Sequence, residues 1–461
     1  MHSTNKTHRL LLLLTGLTLM AFSMPAQEVV EAKLPLENNG WKFDAGGDIR
    51  IREEFFNHIP VAKDPPGVSR GGKNNSIRFR TMAWASAEYE GIIFYGRLNN
   101  EFRQWIKPHN SKAFDWPDEL LIDNLYLRLD QVLGEGVVLT IGRQDIALGS
   151  KRLVLEGTPK DGSRTIYMNG ITLGVRIDDL TRLDLFGVYN TDEDKLAIGH
   201  EHRDIVGYKN ALDTMDEAGG GIFITSRLTE RLPFELYYLY KHDTSYTWLP
   251  KADEAPARVG ASDYHTFGLR LMPIFGSQFS GELELAGQFG EEDADNSVRA
   301  MMAAGNLTWK PELSYSPAFS ANLVYLSGDD EDSRRQEGFN PLWGRYPWVS
   351  ELYIYSWDLE RAGFWTNLIY PYLQATCKPA AGYDLRASLG PMFAEEKNGP
   401  GHGSRRGWLG IVRLDFPLAK GLLGRDDTMK GHLLAEVLKP GSYYEVSHTS
   451  YFLRWEVSYS F

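Results

Sequence analysis

The sequence contains almost no cysteine and, beyond its N-terminal region, no long apolar segment. Cys377 is the only cysteine among 461 residues, so the chain cannot form an internal disulfide. No later stretch reaches the roughly 18 consecutive apolar residues that a spanning helix needs. These absences exclude a disulfide-stabilised fold and a helical membrane protein, and we interpret Cys377 as an inert strand residue.

Basic charge and catalytic motifs are also scarce. The 49 Lys and Arg residues are outnumbered by 61 Asp and Glu residues, which gives a net charge of −12. A chain this acidic is not expected to bind nucleic acid. The Gly-x-Ser-x-Gly elbow of hydrolases and the His-Glu-x-x-His motif of metalloproteases do not occur. The sequence therefore predicts a protein that is not an enzyme, and an enzyme such as a lipase or protease is kept as the alternative.

The N-terminal residues have the order of a secretory signal peptide. Two basic residues precede the apolar run 10–22, and small residues lead up to Ala26. The run is shorter than a spanning helix requires, so we expect cleavage after Ala26, with a competing site at residues 21–23. This predicts a signal peptide, residues 1–26, followed by one outer-membrane β-barrel domain, residues 27–461.

Aromatic residues and glycines, in contrast, are abundant: 23 Tyr, 22 Phe, 12 Trp and 45 Gly. Apolar and polar residues alternate along the C-terminal segment 451–461. A period of two is typical of a strand with one apolar and one wet face, and a tilted strand crosses a bilayer in roughly 9–11 residues. The terminal Phe461 also resembles the C-terminal signature of outer-membrane barrels. Taken alone, this segment leaves a half-buried strand of a soluble sandwich as the alternative.

The same alternation recurs along the whole chain and predicts about eighteen strands, an even number as in bacterial barrels. Long and short gaps alternate between them, which is typical of long extracellular loops and short periplasmic turns. The segment 418–427 is long for a periplasmic turn. We therefore predict an all-β fold, a transmembrane antiparallel β-barrel in the outer membrane of a Gram-negative bacterium. The predicted strands are 43–56, 75–90, 92–105, 120–130, 136–144, 170–178, 181–191, 217–228, 232–243, 262–273, 278–290, 297–311, 316–328, 361–374, 381–395, 405–417, 428–440 and 449–461.

The alternation also assigns each side chain to the lipid or to the lumen. Apolar residues such as Ile49, Phe79 and Leu125 share one face, and arginines share the other. A basic residue on the lipid face would cost about 2–4 kcal/mol at the membrane midplane, so the arginines are predicted to point inward. Arg143 breaks this rule, and we expect it past the membrane edge or behind a bulge. The inward charged residues are Arg50, Arg52, Arg78, Arg80, Arg97, Glu101, Arg103, Arg128, Arg176, Arg270 and Arg454.

Inward arginines have two possible roles. They brace the wall if they pair with carboxylates such as Glu54, Glu88 or Glu101. They form a selectivity ring if their summed field attracts anions, because rings of Arg and Lys favour anions and bind carboxylates bidentately. The sequence leaves both roles open for individual residues.

Several short motifs, in their order along the chain, resemble the alginate-export family of outer-membrane proteins. They are Arg50-Ile-Arg52-Glu53, Arg78-Phe-Arg80, Asn100-Glu-Phe-Arg103, Asp123-Asn-Leu-Tyr-Leu127, Ile141-Gly-Arg-Gln144, Ser327-Gly-Asp-Asp330 and Phe339-Asn-Pro-Leu342. The resemblance covers nearly the whole mature chain. It implies a monomeric eighteen-stranded barrel with a narrow basic pore for a linear polyuronate such as alginate, or for another anionic solute.

The resemblance also implies which residues line the pore. By position these are Arg50, Arg52, Arg78, Arg80, Arg143 and Arg454, and Lys151 and Arg152 would fold into the mouth. Members of the family cap the pore with an extracellular loop and a periplasmic turn, roles that fall here on the loop 145–169 and the turn 418–427. The segment after Gln144 departs from the polymer-exporting members.

The remaining predictions concern partners and cofactors. We expect outer-membrane lipid and an anionic sugar or other small anion as partners, and no cofactor. Asp329, Asp330 and Asp332 carry oxygens that would suit calcium, but a solvated acidic loop is the favoured interpretation. A structural or adhesive barrel whose loops close the lumen remains a further alternative.

Overall fold

The computed structural model describes residues 40–461, except for 59–72, 110–114, 118, 157–166, 193–195, 201–214, 228, 249–256, 294–295, 331, 345–348, 355–365 and 446. The predicted signal peptide, residues 1–26, lies outside the described residues. None of the helices in the described part of the chain is long and apolar enough to cross a membrane.

Eighteen long strands of the described chain, labelled β1 to β18, form one closed antiparallel sheet. They are β1 Lys42–Asn57, β2 Lys73–Tyr89, β3 Ile92–Lys107, β4 Glu119–Asp130, β5 Val137–Gln144, β6 Met168–Arg176, β7 Thr181–Asn190, β8 Glu217–Ser226, β9 Phe234–Asp243, β10 Ser262–Leu271, β11 Phe279–Glu292, β12 Asn296–Trp309, β13 Ala318–Leu326, β14 Leu368–Cys377, β15 Asp384–Phe393, β16 Arg405–Lys420, β17 Thr428–Pro440 and β18 Ser450–Ser460.

Each strand pairs with its sequence neighbours, and β18 pairs with β1 to close the barrel. The closing register places Asp48 opposite Ser460 and Asn57 opposite Tyr451. Closure removes the free strand edges that would otherwise leave backbone groups unpaired in lipid. The predicted fold is confirmed. The fourteenth strand was predicted too early in the chain, at 361–374 rather than at β14.

Short elements complete the described chain. Strand segments pair as a hairpin, Ile146–Leu148 with Val154–Glu156, and Tyr246–Trp248 pairs with Ala257–Val259. The segments Ala197–His200, Ile274–Phe275 and Arg335–Gln336 each add to a barrel strand. One short helix, α1 Glu351–Ile354, lies in the connection between β13 and β14.

Side chains alternate across the wall as the sequence predicts. On β1, Ile49 and Ile51 are exposed on the outer surface, whereas Arg50 and Arg52 are almost completely buried inside. The outer surface is rich in exposed aromatic and aliphatic side chains, among them Phe94. An apolar outer band is what a barrel presents to lipid. The inner face is therefore where charge is found.

The two ends of the barrel differ in their connections. The turn between β2 and β3 is only Glu90–Gly91, whose φ values of 48° and 82° suit a tight two-residue hairpin. The turn predicted at 418–427 is shorter than expected, because β16 continues to Lys420. Its remaining residues are held by Asp427, which accepts hydrogen bonds from the backbone of Leu422, Leu423 and Gly424. This compact local arrangement does not support a pore-capping role for the turn.

The inner wall along β7 to β14, called the apolar half below, carries many apolar side chains beside a few buried ionic groups. Along β7 to β14 the inward side chains include Phe186, Phe223, Leu239, Met302 and Tyr370, all buried. They form one hydrophobic core with residues of two loops that enter the barrel. The first, named the hairpin loop, is residues 145–156, and the second, named the long loop, is the β13–β14 connection 327–367. The loops therefore pack against the apolar half and not against lipid.

Candidate functional site inside the barrel

The predicted arginines of β1, β2, β3 and β18 come together on the inner wall. The strand registers place Arg52, Arg78 and Arg103 in one cross-strand row, and they place Arg50 and Arg80 in the next. Like charges directly opposite each other destabilise a sheet unless they are compensated. The group of Arg50, Arg52, Arg78, Arg80, Arg103 and Arg454 is called the arginine ladder below.

Carboxylates from the same strands compensate the ladder. Glu54 accepts from Arg78 at 2.9 Å and lies 2.9 Å from the Nε of Arg52. Glu101 pairs with both Arg78 and Arg50, the latter at 3.3 Å. Charge-assisted, multidentate contacts of this kind are the strong class of hydrogen bonds. The predicted bracing contacts with Glu54 and Glu101 are therefore present, whereas Glu88 instead pairs with Lys42 at 3.0 Å.

Arg80 has a single, long ion pair within the described chain. It is buried, and its one ion pair is with Asp48 at 3.4 Å. Its Nε atom is enclosed without a hydrogen-bond partner. Glu456, 3.9 Å from Arg50 and 3.6 Å from Arg52, is the remaining strand carboxylate beside the ladder.

The long loop reaches the ladder through helix α1. Arg454 donates to Glu351 at 2.9 Å and to His432 at 3.0 Å. At the start of the helix, Glu436 of β17 accepts hydrogen bonds from the Ser350 hydroxyl and from the backbone of Glu351. The exposed amides at a helix start favour such an anion. The loop thus bridges the lumen from the apolar half to the charged half.

On the apolar half, Trp343 anchors the long loop. It is fully buried, and its ring meets that of Phe186 edge-on at 5.5 Å. A side chain at Gly219 would collide with this ring at 2.8 Å, so glycine creates the space. The Trp343 amide donates to the Leu153 carbonyl at 3.0 Å, which joins the two loops. Gln288 exchanges two hydrogen bonds with the backbone of the loop, at 2.7 and 2.9 Å.

The hairpin loop carries a predicted basic residue to the far wall. Arg152 pairs with Glu282 and Glu284 of β11, and Arg270 pairs with Glu282 at 3.3 Å and with Glu235 at 3.0 Å. Burial alone would lower the pKa of Arg152, but the two carboxylates raise it above its usual value. Burial lowers the pKa of the neighbouring Lys151. Arg152 and Arg270 therefore form a second ionic cluster, apart from the ladder.

Arg97 and Arg143 lie near the base of the hairpin loop. Arg97 donates to Asp123 at 2.8 Å and to Asp145 at 3.1 Å. Asp123 has no partner in the β3–β4 register and forms a bulge, which turns both Asp123 and Asn124 inward. A bulge cannot be recognised from alternation alone.

Arg143 lies apart from the ladder, and its place in the pore lining stays a prediction. Its guanidinium lies 3.8 Å from the centre of the Tyr167 ring and donates to Asn169 and to the Ile122 carbonyl. It is buried beside the bulge at Asp123, as the parity argument expected. Contact with the aromatic ring and with carbonyl oxygen explains why the charge is tolerated there.

Two further predicted residues, Arg128 and Arg176, lie near the periplasmic ends of their strands. Arg128 pairs with Asp130 at 2.9 Å, and Arg176 pairs with Glu135 at 3.1 Å. Both are substantially exposed, unlike the ladder. They lie at the periplasmic mouth of the lumen, away from the ladder.

The acidic segment proposed for calcium uses its oxygens within the loop. Asp329 accepts from the backbone of Glu337 at 2.8 Å, and Asp330 accepts from that of Asp332 at 3.0 Å. Within the part of the chain that is described, no group of His, Cys, Asp or Glu is arranged to hold a metal ion. The solvated acidic loop stays the prediction for this segment.

The chain resembles known proteins in both sequence and structure. The profile of a family described as alginate export matches residues 42–392. No curated protein matches the chain. Among solved structures, Pseudomonas aeruginosa OpdL is 13% identical with a TM-score of 0.55, and the match covers 91% of this chain and 98% of that chain. The outer membrane protein OpdK of the same organism is 13% identical with a TM-score of 0.55, and the match covers 91% and 99%.

Proposed function

The chain belongs to the alginate export family, and we propose that its channel prefers anions and passes linear polyuronates such as alginate. The general function follows from the family and the fold. The protein is an outer-membrane channel of a Gram-negative bacterium, its outer wall lies in lipid, and its family and fold are those of channels and not of enzymes.

The arginine ladder is the observation that carries the proposal. Among the described residues, its six guanidiniums face four carboxylates on the same strands, Asp48, Glu54, Glu101 and Glu456, and Glu351 of the long loop also pairs with Arg454. A surplus of basic charge in a channel with low-dielectric walls concentrates anions and repels cations. Bracing and selectivity are compatible here, because pairing fixes the guanidiniums while the sum of charge stays positive.

The interleaved carboxylates also suit transport of a polymer. Conduction requires binding that is favourable enough for entry and weak enough for release. A wall of uncompensated arginines would hold a polyuronate at many points at once. Carboxylates beside each arginine offer an alternative partner, so a passing uronate can exchange contacts without a deep energy minimum.

We also propose that the protein works as a monomer without a cofactor. The strand ring closes on itself through β18 and β1 and needs no second chain to complete it. The solute-facing groups within the described chain are side chains that bind anions through hydrogen bonds and charge.

The test is the reversal potential of the full chain in a planar bilayer under a KCl gradient. Anion preference is expected. The Arg80→Gln variant should reduce it, because it removes a positive charge from the ladder and Arg80 has only one long ion pair to lose within the described chain. Arg299→Gln removes the same charge from the outer face near the extracellular end of β12 and should leave the potential unchanged.

Two results would contradict the proposal. Cation preference of the unaltered protein would overturn the selectivity assignment. Absence of any conductance would favour the alternative of a structural barrel with a closed lumen.

A further inference from the structure

A second set of inward arginines lies at the periplasmic mouth and remains accessible. The side chains of Arg128, Arg176 and Arg182 are 41%, 53% and 61% exposed, and that of Arg413 is 23% exposed. The ladder arginines, in contrast, are at most a few per cent exposed where they pair with Glu54 and Glu101. The basic groups that a solute meets first are therefore those at the mouth.

These arginines are arranged as two cross-strand pairs. Arg176 lies directly opposite Arg182 on β6 and β7, and Arg386 lies directly opposite Arg413 on β15 and β16. Like charges at such positions destabilise a sheet, so sheet stability does not explain them. The two pairs are nine strands apart in a ring of eighteen, which places them on opposite sides of the mouth.

Each pair keeps a carboxylate close by on its own strand. Arg182 contacts Asp184 at 2.6 Å, and Arg413 contacts Asp415 at 2.7 Å. The same Arg-Leu-Asp sequence places Arg128 beside Asp130. Alternation puts both charged side chains of each triplet on the inner face and the leucine on the outer face. The carboxylates hold the guanidiniums in place and compete with an incoming anion.

Aromatic rings adjoin this set on one side. Tyr126 precedes Arg128 by two residues on the same face of β4. Its ring stacks on Tyr95 at 4.9 Å, which in turn stacks on Trp84 at 5.9 Å. Tyr95 and Tyr126 are half-buried, so part of each ring remains open to the lumen. Aromatic faces present a flat apolar surface against which the C–H face of a sugar ring can pack.

Four carboxylates lie at the extracellular end, in connections that also carry Arg334, Arg335 and Lys397. Asp330, Glu337, Glu395 and Glu396 lie close together between the long loop and the β15–β16 connection. Burial raises the pKa of Glu396, and the neighbouring carboxylates raise it further. The described outer end therefore holds both signs of charge and lies apart from the arginine pairs.

We propose that the opposed arginine pairs, with Arg128 and the Tyr126 ring, form an entry site for uronate chains at the periplasmic mouth. Arginine forks bind the carboxylates, and the tyrosine face packs on a sugar ring. The site deepens the proposed function and rests on it, since it requires that the channel accept anionic chains.

The test is block of single-channel current by a short oligomannuronate, added to each side of the bilayer in turn. Block is expected at lower concentration from the periplasmic side. The double variant Arg182→Gln, Arg386→Gln takes one arginine from each pair and should raise the blocking concentration about tenfold, the effect of losing a moderate charge-assisted contact. Arg231→Gln removes a charge from the β8–β9 turn at the same end and should change nothing.

Two companion measurements keep the result interpretable. The double variant Arg182→Lys, Arg386→Lys keeps the charge but loses the forked guanidinium. Oligomannuronate should therefore block its current at an intermediate concentration. A neutral malto-oligosaccharide should block equally in all variants. Equal block by oligomannuronate from both sides, or block unaffected by the glutamine variants, would overturn the entry site.

Failure of the entry site can be told apart from failure of the proposed function. The reversal potential in KCl reports the ladder and needs no oligosaccharide. Anion preference with unchanged block would remove the entry site alone, whereas loss of anion preference in the unaltered protein would remove the proposed function.

Discussion

The two halves of the inner wall use the same strand geometry for opposite purposes. On β1, β2, β3 and β18 the inward positions carry arginine and glutamate, and on β7 to β14 many carry buried apolar side chains. The apolar half has the chemistry of a domain core and holds two loops. In the described chain, the charged half holds the long loop through helix α1, where Glu351 pairs with Arg454. We propose that one side of the lumen is structural filling and that the other sets the charge of the path.

The comparison also explains where stability resides. In the apolar half it comes from burial of large side chains such as Trp343, each worth roughly 1.5–3 kcal/mol on transfer from water. In the charged half, a buried ion pair contributes little net free energy of folding. Removing one partner, however, leaves the other as a buried charge without compensation. Single substitutions can perturb the two halves separately.

The largest effect is expected from Arg78→Ala in the charged half. Arg78 is shared between Glu54 and Glu101, so its loss leaves two buried carboxylates short of a partner. Breaking a buried ion pair costs roughly 3–5 kcal/mol. Thermal unfolding of the detergent-solubilised barrel should occur at a lower temperature, and anion preference should fall. Arg299→Ala is the matched control, and equal melting temperatures for both variants would contradict the role given to Arg78.

Trp343→Ala should have a comparable energetic cost in the apolar half but a different outcome. Truncating a buried tryptophan costs roughly 3–5 kcal/mol, and here it weakens docking of the long loop and not closure of the barrel. Single-channel conductance should rise while the strand ring stays intact.

Trp408→Ala is the control for that experiment, because Trp408 is 55% exposed on the outer wall. It should leave conductance unchanged. A Trp343→Ala channel with unaltered conductance would show that the long loop does not limit the path.

A smaller effect is expected where the halves meet, at Glu351→Gln. The variant removes the loop carboxylate that pairs with Arg454, a charged hydrogen bond worth about 1.5–3 kcal/mol. Anion preference should increase, because negative charge leaves the basic wall. Asp332→Asn removes a charge from an exposed part of the same loop. Equal shifts of the reversal potential in both variants would contradict the effect on anion preference assigned to Glu351 beside Arg454.

Much of the barrel could be predicted because the membrane imposes a simple rule. Every strand must alternate, and arginine must avoid lipid, so strand number and the inward direction of Arg50, Arg78 and Arg270 follow from position alone. The Arg-Leu-Asp triplets at the mouth also obey this rule, and their inward arginines at Arg182 and Arg413 could have been found from it.

The interior arrangement could not be predicted in the same way. Contacts such as Arg152 with Glu284 join residues that are distant in sequence, and loop docking is decided by shape. The apolar inner half was missed because an apolar residue on either face looks alike in sequence. The bulge at Asp123 breaks the alternation without a residue type that marks it. Glu351 and Trp343 gave no signal, since they lie in a long connection without periodicity.

The most direct test of the central claim measures two properties in both halves of the lumen: the accessibility of the wall to a solute and the sign of the charge that the solute meets. In a Cys377→Ser background, a cysteine is placed at Ser458, inward on β18 beside the ladder, or at Val298, inward on β12. The rates of modification by anionic and cationic thiol reagents are then compared. We predict faster reaction with the anionic reagent at position 458 and no reaction at position 298. Faster reaction with the cationic reagent at 458, or equal reaction at both positions, would contradict an arginine-lined path beside a filled apolar half.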